Sequence, residues 1–412
     1  MELKQGYKQT ELGILPNEWN VCNLNQITDA KRSICYGIVQ TGRPVTNGIR
    51  CVRVVDITNG RVNPKNLITT SAEISASYKR TVLSTGDLVI ALRGKIGELA
   101  VADNDLAGAN LTRGVAIIPS SSEFDSAYLC HYLCSPLGKQ TLERNLNGSA
   151  LQEIPIATLR LIPAVIPPLP EQRAIAAALS DMDALLAAQD QLIAKKRDIK
   201  QAMMQQLLTG KQRLPGFSGE WDVKRLGEIA SMGSGGTPPS KIASYYDGNI
   251  PWVSVADMTS SGKYVYKTER NLSQQGLQNS SAQLFPTATI LYAMYASIGE
   301  CSIAAVEVCS SQAILGIRVG DKLIADYLYF HLASKKAQVK EMGQQGTQSN
   351  INKGIVENFK ISLPTIDEQA AIAAVLSDMD AEIDALQQRR DKTRALKQGM
   401  MQELLTGRTR LV

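Results

Sequence analysis

The feature that most constrains the fold of this 412-residue chain is that the chain is written twice. EWNVCNLNQI (18–27) returns as EWDVKRLGEI (220–229), and VRVVDIT (52–58) returns as VSVADMT (253–259). Tyr128-Leu129, Leu133 and Ser135 return as Tyr327-Leu328, Leu332 and Ser334. The longest match is EQRAIAAALSDMDA (171–184) with EQAAIAAVLSDMDA (368–381), followed by IKQAMMQQLLTG (199–210) with LKQGMMQELLTG (396–407). A period of roughly 200 residues is far longer than a solenoid repeat of about 20–50. The chain is therefore two tandem copies of one large unit, each a divergent globular part followed by a nearly invariant tail.

The tails read as long helices. Ile175, Leu179, Met182 and Leu186, then Ile199, Met203 and Leu207, form one apolar stripe. Ile372, Leu376, Met379 and Ile383, then Leu396, Met400 and Leu404, repeat it. Steps of 3 and 4 mark a coiled-coil seam. Pro170 suits a first helical turn, Thr365-x-x-Glu368 reads as a capping box, and Gly210 and Gly407 stand where a left-handed cap is wanted. A helix of about 40 residues spans roughly 60 Å and gains little stability while its stripe faces water. The simplest partner for one stripe is the other, which a pseudo-two-fold makes antiparallel; pairing with a second molecule is the alternative.

Between the tails, CVRVVDIT, DLVIALRG and GVAIIPSS in copy one, and IPWVSVADM, ATILYAMYAS and AILGIRVG in copy two, are short β-rich runs bounded by turn residues. Helical patches follow at 126–145 and 325–342. The fold class expected is α+β, with two tandem globular domains separated by two long antiparallel helices that form a coiled coil. The segments are 1–162 and 211–362 for the globular domains, and 163–210 and 363–412 for the helices.

Several chemistries are excluded. There is no GxxxxGK[ST] phosphate loop and no GxSxG nucleophile elbow. The Pro-Pro pairs, Ile-Pro-Pro-Leu and Thr-Pro-Pro-Ser, lack the flanks of an adenine methyltransferase motif, and no Pro-Asp pair begins a nuclease motif. His131 and His331, at nearly equivalent repeat positions in apolar helical runs, read as core residues rather than general bases. Cys130, His131 and Cys134 interleave with apolar residues, and no second ligand pair completes a zinc site. The first residues lack the apolar run of a secretion signal, and no run approaches the ~18–20 apolar residues of a membrane span, so a cytoplasmic protein with reduced thiols is expected.

Charge points elsewhere. The net charge is only +5, but residues 31–113 hold 12 Lys and Arg against 6 Asp and Glu. A basic surface gains affinity for phosphate by releasing condensed counterions; a solvated basic face is the bland alternative. Candidate contacts are Arg53 and Arg113, and Arg93 and Lys95 of LRGKIGE with Tyr295 and Ser297 of its copy YASIGE. SGGTPPSK offers Thr237, Ser240 and Lys241, and its counterpart QTGRP offers Thr41 and Arg43. NGSALQEI offers Ser149 and Gln152, and GTQSNINK offers Thr347, Gln348, Asn350 and Lys353. Arg, Asn and Gln can pair with base edges, whereas Lys and Ser mostly hold phosphates.

The matching tails, the LPEQRAI and TIDEQAAI entries, the two LLTG exits, the WxVxxLxxI openings and SGGTPPS together resemble the specificity subunits of type I restriction-modification enzymes over essentially the whole chain. That resemblance implies two target-recognition domains, each reading one half of a split site on double-stranded DNA. It implies helices that set the spacing and dock DNA methyltransferase subunits, expected to number two, with motor-nuclease subunits completing the enzyme. The chain itself would be non-catalytic and without cofactor, with AdoMet, ATP and Mg²⁺ on the partners. The family's glycine-threonine-proline loop falls on Gly236, Thr237 and Pro238, and its RGxIG turn on Arg93, Gly94, Ile96 and Gly97. Copy one departs at the first and copy two, with Ala296-Ser297, at the second. A specificity subunit of a related split-subunit system, or a coiled-coil scaffold that binds no DNA, is the alternative.

Overall fold

The computed structural model of the chain describes residues 5–29, 31–58, 60–148, 152–344 and 350–411. They form two compact units, and neither is one continuous stretch: the first is 1–190 with 389–412, the second 191–388. The long helices, Leu169–Leu207 and Ile366–Leu404, each give one half to each unit, so the four consecutive segments expected from the sequence are regrouped.

Each unit repeats one mixed plan. In the first, an antiparallel sheet runs in the order Leu99–Val101, Leu88–Ala91, Val115–Ile118, Cys35–Tyr36. Period-two alternation gives its strands two buried faces. Leu88, Ile90, Ala116 and Ile118 enter a core shared with the helices, while Val89, Ala91, Val115 and Ile117 enter a second core beside a three-stranded sheet. That explains runs such as LVIA with no polar face. The second unit copies this with Ile290–Ala293, Cys301–Ala304 and Ile314–Val319. In both three-stranded sheets one pairing is parallel, Asn110 opposite Cys51 and Trp252 opposite Cys309.

Within each unit the helix halves run antiparallel. In the first, Asp183 pairs with Lys397 at 2.5 Å and Asp190 with Arg390 at 3.3 Å. In the second, Lys196 pairs with Glu382 at 2.6 Å and Lys200 with Asp380. Buried and half-buried positions on the first helix step through Leu179, Met182, Leu186 and Gln189, then Ile193, Lys196, Lys200, Met203 and Leu207. On the second they step through Ile372, Leu376, Met379, Ile383 and Leu386, then Arg390, Thr393, Lys397, Met400 and Leu404. Ile199 (40% exposed) and Leu396 (59%) therefore lie off the seam to which their hydrophobicity assigned them. Their neighbours Lys200 and Lys397 take the seam positions, covering it with their methylene stems while the ammonium groups reach the facing aspartates.

The tails close the units. Glu171, fully buried, accepts from Trp19 Nε1 (2.9 Å) and from Arg410 Nε and Nη2 (2.5 and 2.8 Å). Glu368, equally buried, accepts from Trp221 Nε1 (3.1 Å) and from Arg213 Nε and Nη2 (2.5 and 2.6 Å). Thr365 caps its helix through the Glu368 N–H (3.4 Å), but the Glu368 carboxylate turns to Arg213 and Trp221 instead of closing the expected capping box. Gln172 and Gln369 bridge Pro167 O to Asp125 N, and Pro364 O to Ile324 N. The EQ pair at each helix entry is thus a structural lock. Gly210 and Gly407, both at φ +69°, turn the chain out of each helix towards these arginines.

The histidines are core groups of unequal station. Tyr128 and Tyr327 both donate to the backbone, at Val165 and Ser362, which aligns His131 with Phe330 and His331 with Tyr132. Burial lowers His331 to about 3; burial, with Lys397 adding, lowers His131 to about 4. Removing one partner of a buried, hydrogen-bonded pair costs about 3–5 kcal/mol, whereas exposed pairs contribute under about 1 kcal/mol. Urea unfolding of Arg410→Ala should show a destabilisation in the first range, while Arg408→Ala, whose 3.8 Å contact with Glu403 is exposed, should stay within about 0.5 kcal/mol of the parent.

Candidate nucleic-acid interface

In each unit a run of backbone hydrogen bonds gathers segments far apart in sequence at one edge. In the first, Arg113 N donates to Ile38 O (2.8 Å), Thr112 N to Val52 O (3.0 Å), Leu92 N to Gly114 O (2.8 Å) and Ile154 N to Leu92 O (3.0 Å). In the second, Gly236 N donates to Ser310 O (2.9 Å), Ser311 N to Val253 O (2.9 Å), Met294 N to Ala313 O (2.9 Å) and Ile351 N to Met294 O (3.2 Å). The strand directions dictate this. The parallel pairs end together at Val52 and Leu111, and antiparallel pairing sets the end of Leu88–Ala91 beside the start of Val115–Ile118. Arg53, Arg93, Lys95, Arg113 and Gln152 therefore share one edge, although they lie up to a hundred residues apart.

The turn that carries Arg93 and Lys95 is the same object in both units. Gly97 N bonds Ala91 O at 3.1 Å, as Gly299 N bonds Ala293 O at 3.1 Å. Gly94 sits at φ 72° and Gly97 at 79°, while Ala296 sits at 62° and Gly299 at 80°. Ala296 therefore keeps a left-handed conformation that costs an L-residue about 1–2 kcal/mol. The missing glycine of the second copy changes the residue and leaves the turn unaltered.

What the edges present differs. Arg53 is engaged by Asp56, through its backbone N–H (2.8 Å) and its guanidinium (3.0 and 2.8 Å), and by Asn66 O. Arg93 pairs with Glu153 at 2.8 Å, with both side chains nearly half exposed. Lys95 and Arg113 are exposed, and among the described residues no carboxylate lies in ion-pair range of either. In the second unit the equivalent stations are held by Ser254, Tyr295, Ser297 and Gln312. Ser254 repeats the bond to its aspartate, Ser254 N to Asp257 at 2.8 Å. Tyr295 is 39% exposed, and Ser297 and Gln312 are exposed. Gln312 escaped the sequence reading because its segment, SSQAILGI, shares little with LTRGVAII; only the strand register aligns them.

The glycine-threonine-proline loop flanks the second edge. A Cβ on Gly235 would fall 2.3 Å from Ser310 O, and one on Gly236 would fall 2.3 Å from the Ser281 carbonyl carbon, so only glycine fits. Trp252 Nε1 donates to Gly236 O (3.0 Å) and Tyr246 OH to Pro238 O (2.7 Å), leaving Thr237, Ser240 and Lys241 exposed on a pinned backbone. Gly37 N to Val115 O matches Gly235 N to Ile314 O, a register that makes Val39 the equivalent of Thr237 and Arg43 the equivalent of Lys241. Thr41 is thus the equivalent of Pro239; it is half-buried, and its carbonyl accepts from Thr70 Oγ1 (2.7 Å), while Arg43 is exposed. Gln152 and Asn350 are exposed beside their edges, and Lys353 reaches Glu357 at 3.5 Å. Ser149, Thr347 and Gln348 lie outside the described residues.

Among the described residues, no three His, Cys, Asp or Glu side chains are grouped to hold a metal ion, and no helix is long and apolar enough to cross a membrane. Comparison with known proteins identifies the edges' setting. The model of the type I restriction modification DNA specificity domain matches residues 16–195 and again 218–393. A Methanocaldococcus jannaschii chain described as a type I restriction enzyme MjaX specificity subunit is 24% identical over 99% of this chain and 97% of its own. The EcoBI specificity subunit of Escherichia coli is 30% identical over 39% of this chain and 34% of its own. Among solved structures, one from work on assembly and conformational transition of a type I R-M system aligns with a TM-score of 0.63 at 21% identity, covering 95% of this chain and 99% of that one. The S subunit from M. genitalium aligns at 0.59 and 14%, covering 98% of each; both likenesses concern the fold.

The shared turn makes a stability prediction. Ala296→Gly relieves the left-handed strain at some cost in chain entropy, and should raise stability by roughly 0.5–1 kcal/mol. Gly94→Ala should lower it by a similar amount, both read from urea midpoints.

Proposed function

The chain belongs to the type I restriction-modification DNA specificity family, and on that premise we propose that each unit reads one half of a bipartite site on double-stranded DNA with the edge described above. The chain is the DNA-recognition subunit of such a system and carries no catalytic machinery of its own. The observation that supports the division into half-sites is that one backbone edge recurs in both units while its outward side chains do not. A scaffold that bound a single repeated sequence would have no reason to vary them.

The nearly identical helices suit the opposite need, to meet identical partners. In this proposal they dock two DNA methyltransferase subunits and hold the two readers at a set spacing. Motor-nuclease subunits complete the complex, and AdoMet, ATP and Mg²⁺ are bound by those partners. Lys95 and Arg113, exposed and without a facing carboxylate among the described residues, are the residues of the first edge suited to meet phosphates or guanine edges.

Mapping of methylated adenines in cells that express this chain with its methyltransferase subunits should yield one split, asymmetric motif. Lys95→Ala should weaken binding of that motif by the assembled complex and lower the slope of log K against log salt by about 0.9, leaving the second half of the motif unchanged. A complex with no preferred sequence, or a variant that altered both halves equally, would contradict the proposal.

A further inference from the structure

We infer that Arg113 and Gln312 occupy one reading station in two copies, so that the first unit reads a guanine where the second reads an adenine. The inference rests on the DNA-recognition reading above and goes beyond it by naming the residue and the base.

The equivalence is one of backbone, since the side chains share nothing. Thr112 N to Val52 O and Ser311 N to Val253 O anchor the two turns on the same neighbouring strand at 3.0 and 2.9 Å. Val115 N to Thr112 O and Ile314 N to Ser311 O close them at 2.9 and 3.0 Å. Leu92 N to Gly114 O and Met294 N to Ala313 O tie them to the turn of Arg93 and Tyr295. Each side chain thus leaves a backbone fixed on both flanks, as a reading group must if its placement is not to be lost in loop motion.

At this station the group is also uncommitted. Of the three arginines at the first edge, Arg53 is held by Asp56 and Asn66, and Arg93 by Glu153. Arg113 is exposed with no carboxylate in range among the described residues. Gln312 is likewise exposed, whereas Gln283, also in the second unit, bonds Ser234 O. Gly114 packs closely beside the station and fixes its backbone: a Cβ there would lie 2.9 Å from Val54 Cγ2 and 3.5 Å from Arg93 Cγ. A guanidinium fork matches the two acceptors O6 and N7 of guanine, and a carboxamide matches the donor N6 and acceptor N7 of adenine.

The test uses the complex of the chain with its methyltransferase subunits and duplexes carrying the mapped motif. Replacing the guanines of the first half with 7-deazaguanine should weaken binding about tenfold at one position, as should 7-deazaadenine in the second half. Both losses should vanish in Arg113→Gln and Gln312→Ala respectively. In methylation mapping, Arg113→Gln should change one guanine of the first half to adenine, and Gln312→Arg the reverse in the second.

If Arg113→Gln weakened all sequences alike, lowered the salt slope and left the motif unaltered, Arg113 would be a phosphate contact and the inference would be wrong. A motif with no guanine in the first half would also overturn it. A complex that bound no preferred sequence would instead refute the DNA-recognition reading beneath it. Circular dichroism melting of each variant, unshifted from the parent, separates these outcomes from misfolding.

Discussion

Two buried carboxylates hold the architecture. Glu171 and Glu368 lie at the entries of the long helices, each gripped by a tryptophan from the start of its own globular part and by an arginine delivered from the end of the other helix. Uncompensated burial of a carboxylate is costly, so each unit requires its distant arginine. That requirement explains why a unit is assembled from discontinuous segments. It also explains why Arg213, which follows the first long helix, serves the entry of the second, and Arg410, which follows the second, serves the entry of the first. The helix ends contribute core as well, with Met401, Leu404 and Leu405 in the first unit and Leu207 and Leu208 in the second.

On this closed frame, conservation and variation are divided by position. Locks such as Gln172 and Gln369, or Asp56 and Asp257, serve the same backbone groups in both copies. At the edge, Arg53, Arg93, Lys95 and Arg113 give way to Ser254, Tyr295, Ser297 and Gln312. Four cationic stations become four neutral ones without movement of the hydrogen-bond pattern that places them. Such a frame lets the edge side chains change while folding is untouched, because the exchanged side chains contribute almost nothing to the core.

Much of this was legible in the sequence, and what was hidden has a physical cause. The repeat, the α+β plan and the long helices follow from matched segments and heptad spacing. The seam was misread at Ile199 and Leu396 because hydrophobicity stood in for phase; a lysine stem can fill a seam position when an aspartate faces its ammonium. Arg53 was legible as a basic residue, but a sequence does not show that Asp56, three residues on, engages it. Gln312 was invisible because strand register, not residue similarity, aligns it with Arg113. The turn at Ala296 seemed divergent from RGxIG, yet φ angles show it to be the same turn under strain.

If two interchangeable units present two different edges, then copying one unit's globular part into the other's place should copy its half-site. The measurement is methylated-adenine mapping of a chain in which residues 18–168 are replaced by residues 220–365, which puts a copy of Trp221 in the place of Trp19 beside Glu171 and Arg410. The expected motif has two halves of the same composition, both that of the original second half. A motif that kept the original first half, in a chimera that still melts cooperatively, would contradict the assignment of each half-site to its own unit.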